Sequence, residues 1–299
     1  MGSGSWTRDN YVSYCASTSR SYCASTDTFA DTYTSSSQAF KQHNLHSKLD
    51  PKNVIRECCD SEEHPSTIPV ILALDVTGSM GQTAIEVQKK LNPIMQELYK
   101  KVKDVEIMVM AIGDLSYDRS PIQISQFESD IRIAENLDHI YFENGGGGNK
   151  WESYTAAWYM GARHTKLDCW KRGKKGIIIT MGDEPINPYL PKEELEYATG
   201  DKLQADISTE DLYKEVRDKY HLCHICIESR NYPDQTSRKK TFDKVLGGEN
   251  VIISSVEDLQ NKIVDIVTTY ASKNDCMIVE TTVPSIEKVK TNENGEITW

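Results

Sequence analysis

The run Pro69-Val-Ile-Leu-Ala-Leu-Asp75 carries no polar side chain before its last residue, so a strand formed from it needs cover on both faces. Strands of that kind belong to parallel sheets sandwiched between helices. The pattern recurs downstream. Runs at 105–112 (VEIMVMAI), 176–181 (GIIITM), 221–228 (HLCHICIE) and 250–254 (NVIIS) predict further strands, and the stretches 83–102, 153–165, 208–219 and 256–272 predict helices between them. In the first of these helices Ile85, Val87, Leu91, Ile94, Met95 and Leu98 recur at a helical period and give a stripe that would lie on the sheet. Between 113 and 142 the sequence reads as an edge strand (QISQF), an acidic helix and another strand (HIYF). The expectation is one α/β domain over 66–273, doubly wound, with a mostly parallel Rossmann-like sheet and helices on both faces.

Residues 1–65 have a different composition. Ser, Thr and Tyr dominate, aliphatic residues are scarce, and SYCAST occurs twice, beginning at Ser13 and Ser21. Such an arm cannot build a core alone. Its aromatics, Trp6, Tyr11, Tyr14, Tyr22, Phe29, Tyr33 and Phe40, could rest on the domain itself, on a second copy or on a partner, and self-association through the arm is one expectation. Residues 274–299 form a C-terminal extension with IVETTV and a hairpin-like turn at Asn294-Gly295.

A formal charge of −11 argues against broad binding to a phosphate backbone, so nucleic acid is not an expected partner. No stretch approaches the roughly 20 apolar residues of a membrane helix, and the N-terminal MGSGSWTRDN lacks an apolar signal region. A soluble, cytoplasmic protein is therefore expected. Eight cysteines in 299 residues are too sparse for a secreted disulfide framework, and reduced thiols are expected. Cys223 and Cys226, flanked by His221 and His224, have the composition of a zinc site, but the segment alternates like a strand and no second pair follows, so buried structural cysteines are expected.

The chemistry concentrates after the first strand. In Asp75-Val-Thr77-Gly-Ser79 one carboxylate and two hydroxyls alternate, the kind of oxygen set that suits a hard cation such as Mg²⁺. Asp75 falls at the carboxyl end of its strand, where open α/β sheets bind ligands. A second buried run opens into Gly182-Asp183, which puts Asp183 at the same edge. Between them lies the glycine-rich GGGGNKWESYTAAW, whose Gly145 to Gly148 suit a close backbone approach. Asp114, after the strand 105–112, is a further candidate near that edge.

Taken together, these three loops resemble the von Willebrand factor A domain family, whose metal-ion-dependent adhesion site carries D-x-S-x-S after the first strand. The resemblance implies Asp75, Thr77 and Ser79 as first-loop metal residues, Asp183 as the third-loop aspartate, and Glu152 or the adjacent Ser153 where the family has a threonine. It implies Mg²⁺ or Mn²⁺ as cofactor, and a protein partner whose Asp or Glu completes the shell. Intracellular members commonly act as non-enzymatic adaptors or assembly factors, often beside ring-shaped ATPases. An alternative resemblance is to phosphohydrolases of the haloacid dehalogenase type. There Asp75 would be the nucleophile, Asp183 a Mg²⁺ ligand, and Lys174 or Lys175 the phosphate-binding lysine. His164, Asp168 and Cys169 fit no catalytic triad order, and a helix-end histidine is more often satisfied by a carbonyl.

Overall fold

The computed structural model describes residues 4–29, 35–143, 148–228 and 233–273. Its centre is a six-stranded sheet: β1 (Ile68–Asp75), β2 (Val105–Ile112), β3 (Ile122–Ile124), β4 (Gly176–Gly182), β5 (Tyr220–Ile227) and β6 (Val251–Ser254). The strand order is β6-β5-β4-β1-β2-β3, parallel throughout except for antiparallel β3 at the edge. Every residue of β1, β2 and β4 is buried, as their largely apolar composition requires, Glu106, Thr180 and Asp75 included.

Alternation along each strand feeds two cores. Val70, Leu72 and Leu74 of β1, with Ile177 and Ile179 of β4, face a layer that contains Ile85, Leu91, Met95 and Leu98 of helix α2 (Gly81–Lys101) and Ile263 and Val267 of helix α8 (Leu259–Lys273). Ile71, Ala73 and Ile178 face the other way, toward Trp158 of helix α4 (Thr155–Arg163), Leu212 of helix α6 (Thr209–Val216) and Phe242 of helix α7 (Thr236–Leu246). The fold is thus α/β and doubly wound, with helices on both faces. Within the α/β domain α7 and α5 (Lys192–Thr199) escaped the sequence reading, because each buries only two residues and shows no long apolar stripe.

The acidic helix of the 113–142 region is α3 (Arg132–Asp138), but the expected HIYF strand does not form. Tyr141 makes one isolated bridge, to Gln42, because its backbone is claimed by a side chain: Tyr141 N donates to Gln123 Oε1 at 2.9 Å and Gln123 Nε2 donates to Tyr141 O at 2.7 Å.

The N-terminal segment lies on the domain and shares its core. Helix α1 (Arg8–Ser17) starts at Thr7, whose hydroxyl accepts from Asn10 N. Trp6, Tyr11, Cys15, Phe29 and Phe40 are buried in the same cluster as α2 and α8, while Tyr33 lies outside the described residues. Trp6 Nε1 donates to Asn92 Oδ1 at 2.9 Å, and Arg20 grips Asp138 with both terminal nitrogens at 2.6 and 2.8 Å. Backbone pairing also reaches this segment, since Arg56–Cys58 runs parallel to Thr165–Leu167. Trp6→Ala should therefore destabilise the whole domain by about 3 kcal/mol in urea unfolding, because it removes a large buried ring and the donor to Asn92 Oδ1. An unchanged midpoint would show that the arm contributes nothing to the fold.

All seven described cysteines are free thiols, and Cys276 lies outside the described residues together with the rest of 274–299. Cys223 packs with the α2 face and Cys226 with the α4 face. Three positions apart on a strand, they point to opposite sides of the sheet and cannot share a zinc ion. No described helix is long and apolar enough to cross a membrane.

Candidate metal centre

Strands β1 and β4 are parallel neighbours, with Leu74 opposite Met181, so Asp75 and the Gly182-Asp183 step end side by side. From β1 the chain crosses to β2 on one side, and it later returns through β4 on the other. That reversal opens a crevice at the carboxyl edge, the usual ligand position in sheets of this class. Directly after β1 the backbone makes a short turn, Gly78–Met80, and enters α2.

Asp75 and Asp183 are fully buried and Thr77 nearly so, while Ser79 is half-buried at the mouth. Asp75 Oδ1 accepts from Thr77 N at 2.9 Å and Thr77 Oγ1 at 2.6 Å. Across the crevice, Ser79 Oγ donates to Asp183 Oδ1 at 2.9 Å. Both hydroxyl protons are thus directed to carboxylates, which leaves the hydroxyl oxygens with lone pairs to offer a cation.

Glu152 enters from the second, glycine-rich loop. It pairs with Ile186 in an isolated bridge beyond β4, its side chain is buried, and Oε2 has no hydrogen-bond partner among the described residues. Burial raises its pKa, and the surrounding carboxylates Asp75, Asp118, Asp114 and Glu184 raise it further. The Asp75 carboxyl is also raised, mainly by burial and then by Asp183, against the pull of its hydrogen bonds from Thr77 and Tyr154. Ser153, the other second-loop candidate, has its Oγ occupied by Leu115 N at 3.0 Å. Asp114 is buried, accepts from Ser116 N at 2.9 Å, and contributes charge near Glu152. Of the glycine loop only Gly148 is described, with 145–147 outside the described residues.

One residue of this centre was not singled out in the sequence. The Tyr154 hydroxyl donates to Asp75 Oδ2 at 2.8 Å and accepts from Glu184 N at 3.3 Å, so it ties the first loop to the third. A side chain at Gly182 would drive its Cβ into that hydroxyl. The available signal was therefore Gly182, a small residue where a buried strand ends, rather than the tyrosine itself.

Among the described residues, no group of three or more His, Cys, Asp or Glu side chains is arranged to hold a metal ion by itself. A cation here needs the hydroxyls of Thr77 and Ser79 as well as carboxylates. The donor set fits one: all its atoms are oxygen, and the buried Glu152 Oε2 lacks a partner.

Other candidates sit elsewhere. Lys174 and Lys175 precede β4, at the opposite edge from Asp75 and roughly 20 Å away along a seven-residue strand. His164 is held by the Val54 carbonyl at 2.9 Å and by Asp201 at 2.7 Å. A groove of about 610 Å³ is lined by Leu115, Asp118, Pro121, Glu193, Glu194 and Tyr197, among others.

No protein-family model matches the sequence, and no curated protein matches it. Among solved structures the chain is similar to the pilus adhesin SpaC from Lactobacillus rhamnosus GG, at 12% identity over 73% of this chain and 31% of that one, with a TM-score of 0.47. It is also similar to proximal thread matrix protein 1 from the mussel byssus, at 13% identity over 71% of this chain and 49% of that one, with a TM-score of 0.44. A third is the vWF domain of the type V pili tip protein Mfa5 from Porphyromonas gingivalis, at 11% identity over 70% and 96%, with a TM-score of 0.44. The chain thus spans about a third of the SpaC chain it matches. Likenesses this distant concern the path of the chain and no individual residue.

Proposed function

We propose that the protein is a metal-dependent protein-recognition module. Mg²⁺ or Mn²⁺ binds at the carboxyl edge through Thr77, Ser79, Asp75, Asp183 and Glu152, and an Asp or Glu side chain of a partner completes its shell. The observation that carries this reading is the orientation of the two hydroxyls, whose protons go to Asp75 and Asp183 and whose oxygens are left for a cation. The charges acting most strongly on buried Glu152 are all carboxylates, a concentration of negative charge that a divalent ion would relieve. A phosphohydrolase role gains no support, since neither Lys174 nor Lys175 comes near Asp75. A purely self-assembling arm gains none either, because, of the described arm aromatics, Trp6, Tyr11, Phe29 and Phe40 are buried in this chain's own core and Tyr14 and Tyr22 pack against it.

The test is a titration of the full chain with Mn²⁺, followed by loss of the free-ion paramagnetic resonance signal, with and without a short Asp-containing peptide. Saturable one-site binding that the peptide tightens is expected. Absence of Mn²⁺ and Mg²⁺ binding would end the metal reading, and binding indifferent to the peptide would end the recognition mechanism.

A further inference from the structure

We infer that Tyr154 is the residue that sets which divalent cation this centre accepts, by holding Asp75 to single-oxygen contact. The inference rests on the metal reading above. Both oxygens of Asp75 are already engaged: Oδ1 by the two Thr77 donors at 2.9 and 2.6 Å, Oδ2 by the Tyr154 hydroxyl at 2.8 Å. A carboxylate pinned at both ends cannot turn to chelate an ion with both oxygens. Ca²⁺ takes six to eight oxygens and favours bidentate carboxylates, whereas Mg²⁺ keeps an octahedron of one or two carboxylates, hydroxyls and waters. The pinned Asp75 therefore favours the smaller ion.

Tyr154 is built to stay where it is. Its ring is fully buried, edge-on to His224 at 5.0 Å between centroids and tilted against Phe242 at 5.6 Å. The hydroxyl fills the hollow that Gly182 leaves open, and Glu184 N donates to it from the far side. Removing only that oxygen frees Asp75 Oδ2 and leaves the packing intact.

The measurement is competition: Mn²⁺ is bound first, and Mg²⁺ or Ca²⁺ is titrated against it in the wild type and in Tyr154→Phe. Mg²⁺ should compete better than Ca²⁺ in the wild type, and the phenylalanine variant should move the ratio toward Ca²⁺ by about tenfold, the usual scale for partners of a metal ligand. An unchanged ratio in a variant with wild-type near-ultraviolet circular dichroism overturns the inference and leaves the metal reading standing. Failure of the wild type to bind Mn²⁺ instead defeats the metal reading itself. Should Tyr154→Phe not fold, the wild type alone decides: Ca²⁺ must perturb buried-tyrosine absorbance more than Mg²⁺ does, and equal perturbation overturns the inference.

Discussion

Asp75→Ala should abolish Mg²⁺ and Mn²⁺ binding, a loss beyond the roughly 10–100-fold that changes in outer-shell partners produce. The effect is large because Asp75 does more than supply an oxygen. It fixes the Thr77 backbone and hydroxyl and is joined through Tyr154 to the third loop, so its loss disorganises three donors at once. The fold should survive. Removing the carboxylate leaves buried donors without an acceptor, at about 1–3 kcal/mol each, but it also removes a buried charge that the folded state disfavours. Calorimetric titration with MgCl₂ checks this, with the exposed Asp211→Ala as a control for a general loss of negative charge. Wild-type affinity in Asp75→Ala would remove the first loop from the proposed site.

The second large effect is a pair of opposite pH dependences. Folding raises the carboxyls of Asp75 and Glu152, so between their ordinary range near pH 4 and their raised values the folded chain holds protons that the unfolded chain has released. Without metal, stability is therefore greatest on the acid side of this window and falls as pH rises through it. The contribution of one raised carboxyl is about 1.4 kcal/mol for each pH unit it spans. Metal binding runs the other way, because the ion competes with those protons: affinity rises with pH and binding releases protons to the buffer. Urea unfolding in chelator at about pH 5 and about pH 8, repeated for Glu152→Gln, isolates the Glu152 share as a flatter slope. If wild type and variant show the same slope, Glu152 is not a buried, raised acid.

Strand content was legible because β1, β2 and β4 are buried on both faces, so apolar runs and strands coincide. What failed did so where side chains replaced backbone pairing, as Gln123 does at Tyr141, or where helices bury little, as in α5 and α7. For the candidate centre, Asp75, Thr77, Ser79 and Asp183 followed from a local motif and a strand end, and the structure joins them by hydrogen bonds. Glu152 came from counting along a loop, and the structure puts its charge beside Asp75. Tyr154 was hidden because its partners, Asp75 and Gly182, are 79 and 28 positions away, a relation set by the parallel packing of β1 and β4 and by no sequence period.

The docking of the N-terminal segment also bears on how the chain is made. A ribosome releases residues 4–29 before their anchors, Asn92 and Asp138. Chain-closure entropy must be met before such distant contacts form, and the tyrosine- and cysteine-bearing segment stays exposed until then. Between its own translation and that of α3, this segment is open to chaperones and, at Cys15 and Cys23, to thiol oxidation.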